Sequence, residues 1–74
     1  GHINARYNLA TLLRATGKPR EAIVHLRQLI ATAPGFAEAH LSLALALEDS
    51  GVPEEARLHF AEAVRLKPGL AAPR

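Results

Sequence analysis

Seventy-four residues, 49% of them hydrophobic and 22% charged, suit one small domain at the lower edge of independent stability. Cysteine is absent, which excludes a disulfide framework and a thiolate metal site, and a net charge of +2 is too small to argue for a nucleic-acid partner. No uninterrupted run of about eighteen apolar residues and no basic–apolar leader occurs, so nothing in the sequence points to a membrane. A cytoplasmic location is expected, and a start at Gly1 without an initiator methionine reads as a slice of a longer chain. Since Tyr7, Phe36 and Phe60 are the only aromatic residues, the core must be built from small aliphatic side chains, which suits helices packed side by side.

The first periodic stretch carries Ala5, Leu9, Leu12 and Leu13 at helical spacing, and Gly17 ends it where a left-handed residue is wanted. Pro19 follows at a first-turn position that tolerates a missing N–H, and Ala22, Leu26, Leu29 and Ala33 continue a helical stripe. Pro34-Gly35 stops this second helix. The third helix is predicted from about Phe36 to Ser50. It is apolar nearly all round, with Leu41, Leu43, Leu45 and Leu47 on different sides, as a sandwiched helix is. The fourth is predicted from Pro53 to Lys67, and Leu70-Ala71-Ala72 begins a further helix that stops at Pro73-Arg74. Lys18 and Val52 break the local rule for helix starts, because neither side chain can cap.

The second pair of helices repeats the first. A shift of 34 residues superposes Ala5 on Ala39, Leu9 on Leu43, Ala10 on Ala44 and Leu13 on Leu47. It also brings Gly17, Pro19, Glu21, Ala22 and His25 onto Gly51, Pro53, Glu55, Ala56 and His59, and Pro34-Gly35 onto Pro68-Gly69. Gly1 falls on Gly35, as if closing an earlier unit. Chance composition does not align punctuating Gly and Pro with so many apolar positions, so the chain divides into repeat one (3–36), repeat two (37–70) and a tail (71–74).

This period and its residues resemble the tetratricopeptide repeat family. Arg6-x-x-Leu9-Ala10-x-x-Leu13 and His40-x-x-Leu43-Ala44-x-x-Leu47 correspond to the family's first block. Ala22-x-x-x-Leu26 and Ala56-x-x-x-Phe60 correspond to its second, and Pro34 and Pro68 to its closing proline. The resemblance runs from Ile3 to Leu70. It implies an all-α fold: an α-solenoid of two antiparallel helix–turn–helix repeats, followed by the short start of a further helix. Ala10 against Ala22, and Ala44 against Ala56, let helix axes approach closely. Arg6 and His40 depart from the pattern, standing where the family usually buries a tryptophan; an arginine stem can still cover apolar surface.

The histidines do not make a metal site. His2, His25, His40 and His59 lack ligand spacing, and the equivalence of His25 and His59 follows from duplication. Ser42 and Ser50 sit in no nucleophile elbow, and Glu54 and Glu55 suit the positive end of a helix dipole better than acid–base chemistry. No phosphate-binding glycine loop is present, so no cofactor and no enzymatic activity are expected.

The resemblance directs attention to the first helix of each repeat, which in this family lines a concave surface that holds an extended peptide or a partner helix. Carried onto this sequence, that surface comprises Asn4, Tyr7, Asn8, Thr11 and Arg14 from repeat one, and Glu38, Leu41, Ser42, Leu45 and Glu48 from repeat two. A merely solvated face rarely gathers groups such as Tyr7, Leu41 and Leu45. Some family members clamp the acidic C-terminus of chaperones with Lys, Asn and Arg along this face. Asn8 is compatible with one such position, but the lysines are missing and Glu38 and Glu48 would repel a carboxylate.

Charge is polarised along the chain. Residues 3–36 carry +4 and residues 37–70 carry −3, with Arg74 supplying the remaining charge. A polarised rod favours head-to-tail contact between copies, and Val64 and Leu58 on the last helix have no following helix to cover them. The expected function is a non-catalytic module binding a peptide or protein on its concave face. The alternative is a structural module whose open ends hold a repeat array or homo-oligomer together.

Overall fold

A computed structural model of the chain describes residues 2–71. Its helices are α1 (His2–Ala15), α2 (Pro19–Thr32), α3 (Ala37–Asp49) and α4 (Pro53–Leu66), followed by a 3₁₀ turn, Pro68–Ala71. The expected further helix is thus a 3₁₀ turn as far as it is described, and it packs on α4. Gly1 and the tail end at Ala72-Pro73-Arg74 lie outside the described residues.

Glycine and proline set the helix ends through a shared geometry. Gly17 and Gly51 adopt φ of +82° and +83°. That conformation lets the Lys18 N–H reach the Leu13 carbonyl at 2.8 Å and the Gly17 N–H reach the Arg14 carbonyl at 3.2 Å. Val52 and Gly51 make the same two bonds to Leu47 and Glu48. Each helix end is therefore closed by its own turn, a Schellman arrangement that satisfies the last carbonyls. The next residue is Pro19 or Pro53, already bent for a first turn and lacking one of the N–H groups a cap would serve. This is why Lys18 and Val52 can stand at N-cap positions with no side-chain cap.

The short turns fold each helix back on the one before. Within the repeats, Ala10, Ala22, Ala44 and Ala56 are all fully or almost fully buried, as close approach of the paired helices requires. Between the repeats, α3 lies against both α2 and α4, while α1 meets α3 only along a narrow edge. Leu26 and Leu29 from α2 join Leu43 and Leu47 from α3 as the largest fully buried side chains, so the core sits at the repeat junction.

Not every predicted core position is covered. Ala5, Leu9 and Leu12 form the expected stripe on α1, yet all three are exposed, and Leu13 is only partly buried. Periodicity makes the face apolar; only a neighbouring helix buries it, and α1 has α2 on one side alone.

His40 takes the family's tryptophan position without leaving a polar group stranded. It is 5% exposed, and its Nε2 lies 2.9 Å from the Pro34 carbonyl oxygen, to which it donates. In the neutral ring Nδ1 then accepts from His59 Nδ1 at 3.3 Å, so the two imidazoles meet edge to edge with centroids 5.6 Å apart. At the equivalent place in repeat one, Arg6 donates to Gln28 and to His25 Nδ1 at 3.4 Å. The duplicated positions keep one contact and change its chemistry.

Among the described residues, ion pairs cross the repeat boundary at two places. Arg27 of α2 grips Glu55 of α4 with two bonds of 2.6 and 3.1 Å, and Arg14 of α1 meets Asp49 at the end of α3 at 3.1 Å. Hydrogen bonds from Arg27 hold the Glu55 carboxyl below the usual carboxylate range. A carboxylate shifted this way stabilises the fold above its ordinary value near pH 4.3, and the contribution disappears as pH falls through the lowered one. Arg27→Gln should therefore lower the urea midpoint at neutral pH, and the gap from wild type should close as pH is taken below about 4. Urea titrations at several pH values check this; a gap that stays constant would show that the pair does not act through Glu55 ionisation.

The turns give a second test. A Cβ on Gly17 or on Gly35 would meet no atom within 4 Å, but only Gly17 has a positive φ. Gly17→Ala should cost about 1 kcal/mol, from backbone conformation alone. Gly35→Ala should be neutral or stabilising by a few tenths of a kcal/mol, since it only restricts the unfolded chain. Thermal melts of the two variants separate these effects.

Candidate functional site

All ten residues expected to line the binding face belong to the two first helices, α1 and α3. Tyr7, Arg14, Glu38, Leu41, Ser42 and Leu45 are partly buried, whereas Asn4, Asn8, Thr11 and Glu48 are exposed. Tyr7, like Arg14, joins the repeats on this side. Its ring lies 5.1 Å from that of Phe36, tilted by 42°, and its hydroxyl accepts a 3.4 Å hydrogen bond from the Ser42 hydroxyl. An aromatic ring held from two directions presents a pre-organised apolar anchor with a polar tip. Leu41 and Leu45 follow on α3 at helical spacing.

Charged residues on this face are largely occupied within the molecule. Arg14 is committed to Asp49, and Glu38 accepts a 2.7 Å bond from Lys67, which keeps its carboxyl below the ordinary range. Glu48 makes no ion pair among the described residues. Thr11 turns inward to its own helix, donating to the Tyr7 carbonyl at 3.0 Å. Asn4 and Asn8 are exposed and make no side-chain hydrogen bond among the described residues.

Sequence spacing missed three contributors. Phe36 braces Tyr7, Asp49 neutralises Arg14, and Lys67 neutralises Glu38. Phe36 immediately precedes α3, Asp49 is the last residue of α3 and Lys67 immediately follows α4, so a face drawn from the central turns of α1 and α3 omits them. Phe36 alone carried a signal, as an aromatic directly after the Pro34-Gly35 stop.

A cavity lies elsewhere. It measures ≈ 380 Å³ and opens at the turn between α1 and α2, where Lys18 and Arg20 face Glu21 and Asp49. Mixed charges around an open cleft do not favour one ligand sign. Among the described residues no three His, Cys, Asp or Glu converge as metal ligands, and no helix is long and apolar enough to cross a membrane.

Comparison with known families accounts for this architecture. A family model described as tetratricopeptide repeat matches residues 7–71, which include both turns, both alanine contacts and Tyr7. Members of that family generally mediate protein–protein interaction and are typically non-catalytic. No curated protein matches the chain. Among the described residues four helices form two hairpins related by the 34-residue register, and the family match along nearly their full length places the chain in the tetratricopeptide repeat family.

Proposed function

We propose that the chain captures an extended peptide or a partner helix on the face formed by α1 and α3, with Tyr7 as the central anchor. One observation carries this reading: Tyr7 is fixed between Phe36 and Ser42 before any partner arrives, next to the partly exposed Leu41 and Leu45. A rigid aromatic beside aliphatic groups loses little conformational freedom on binding, which is the property of an interface hot spot. The internal pairing of Arg14 and Glu38 favours a partner that inserts apolar side chains over one that brings a carboxylate cluster. Exposed Glu48 adds a preference for a cation at the α3 end of the face.

Selection from a displayed library of random peptides supplies a probe for a partner of unspecified sequence. Enriched peptides should carry an aromatic or large aliphatic residue with a nearby Lys or Arg. Tyr7→Ala should weaken their binding about tenfold or more, equivalent to roughly 1.4 kcal/mol, and Leu45→Ala severalfold. Leu58→Glu, on a different face, should leave affinity unchanged. Peptides that bind Tyr7→Ala as well as wild type would refute the assignment of this face.

A further inference from the structure

The two imidazoles at the repeat junction stand in a short relay that has an acceptor at each end. The Pro34 carbonyl oxygen lies 2.9 Å from His40 Nε2, His40 Nδ1 lies 3.3 Å from His59 Nδ1, and His59 Nε2 lies 3.5 Å from Glu55 Oε2. Each of these three contacts needs a proton between its atoms, whereas two neutral imidazoles carry one N–H each. Every neutral arrangement therefore leaves a contact empty. If both N–H groups point toward Pro34, the bare nitrogen is His59 Nε2, facing a carboxylate. If both point toward Glu55, it is His40 Nε2, facing the carbonyl at 2.9 Å. If they point outward, two lone pairs meet at 3.3 Å. The shortest contact is the costliest to empty and the longest the least, which puts the vacancy at His59 Nε2.

The surroundings favour filling that vacancy once. Bonds from Arg27 of α2 hold the Glu55 carboxyl below its usual range, so the acceptor at this end stays ionised where histidines titrate. Glu62, also on α4, is the second carboxylate near the pair. Arg65 holds it below the ordinary range, and positive charge on either imidazole acts in the same direction. Two carboxylates thus face the rings, each shared with an arginine. The other cations nearby are committed elsewhere: Arg6 to His25 and Gln28, Arg14 to Asp49, and Lys67 to Glu38. A second proton has no place, because it would set two N–H groups against each other in the 3.3 Å contact. Water reaches the pair at the vacant end, since the His59 side chain is 21% exposed and His40 only 5%.

Repeat one fills the same place with a permanent charge. The 34-residue register puts Arg6 at the position of His40 and His25 at that of His59. Arg6 donates to His25 Nδ1 at 3.4 Å, the atom through which His59 meets His40. The guanidinium supplies a cation there at every pH, whereas in repeat two a proton has to bring it. We propose that His40 and His59 form a one-proton site at the repeat junction. The proton enters at His59 Nε2 and completes the hydrogen bonds from the Pro34 carbonyl to Glu55, which Arg27 ties to α2. No use of the Tyr7 face is needed for this. The folded chain holds this proton more tightly than the unfolded chain, which lacks the relay. Stability at the junction therefore rises as pH falls through the ordinary histidine range near 6.5, and the gain is lost as pH rises through it.

Nitrogen-15 spectra of the histidine rings in the full chain, taken from about pH 8.5 to about pH 5, test this. His40 should keep its Nε2–H tautomer throughout, while His59 passes from the Nδ1–H form to the imidazolium. Glu55→Gln should move proton uptake by His59 to lower pH, and Arg27→Gln, which removes a competing cation, to higher pH. The urea midpoint of the wild type should exceed that of His59→Gln by more at about pH 6 than at about pH 8. Conversion of His40 to an imidazolium in this range overturns the proposal, as does a His59 that stays neutral to the end of it. So does a shift of the same sign in Glu55→Gln and Arg27→Gln, or a midpoint gap independent of pH. The wild-type spectra decide the first two outcomes even where a variant fails to fold.

Discussion

Burial of α3 on two sides is the constraint from which the other features follow. A helix with Ala37, Ala39, Leu43, Ala44, Ala46 and Leu47 all withdrawn from water must have helices on both sides, and α2 and α4 provide them. Alanine at the contact points brings those neighbours close, and leucine from α2 and α3 fills the space that remains. Neither repeat could bury this surface alone, so stability belongs to the junction more than to either hairpin. The first helices are held side by side as a consequence, and Tyr7 reaches Ser42 only because α2 spans the distance between α1 and α3.

The sequence was most legible where local chemistry and fold agree. Gly17 and Gly51 mark turns that need a positive φ, and Pro19 and Pro53 mark the first turn of the helix that follows, so the helix boundaries were readable to within a residue or two. The apparently faulty caps at Lys18 and Val52 had their answer in the preceding turn, a pairing of backbone groups that side-chain rules do not describe. The stripe of Ala5, Leu9 and Leu12 was legible as apolar but not as exposed. Exposure depends on which helices surround a face, and a pattern within one segment carries no record of its neighbours. The same limit hid Phe36, Asp49 and Lys67, each of which acts on the candidate face from outside α1 and the body of α3.

Duplication supplies a reference that a non-repeating fold lacks. When twin positions differ in exposure, the difference isolates the effect of one adjacent helix; when they do not, the exposure belongs to the face itself. Leu9 and Leu43 are the first case, and Val24 and Leu58 the second. Twin positions thus separate apolar residues waiting for a neighbour from apolar residues that face solvent in every repeat. They also separate the end face of α1 from the Tyr7 face, where Leu41 and Leu45 remain partly exposed even in the helix that is flanked on both sides.

Apolar packing supplies attraction between repeats, but it does not by itself decide which helix follows which. Polar contacts make that choice here, and they differ between the repeats. Repeat two links the Pro34 carbonyl to His40, His40 to His59, and Glu55 to Arg27 of the preceding repeat, with His59 Nε2 lying 3.5 Å from Glu55. This path begins in the connection from α2 to α3 and ends on α2 itself, so it is complete only when repeat two sits on repeat one in the observed register. Repeat one has Arg6 in place of His40 and keeps its bonds to His25 and Gln28 inside its own hairpin. Exposed pairs of this kind add little to stability, and their worth lies in the wrong arrangements they disfavour. The junction inside the chain thus carries both attraction and register.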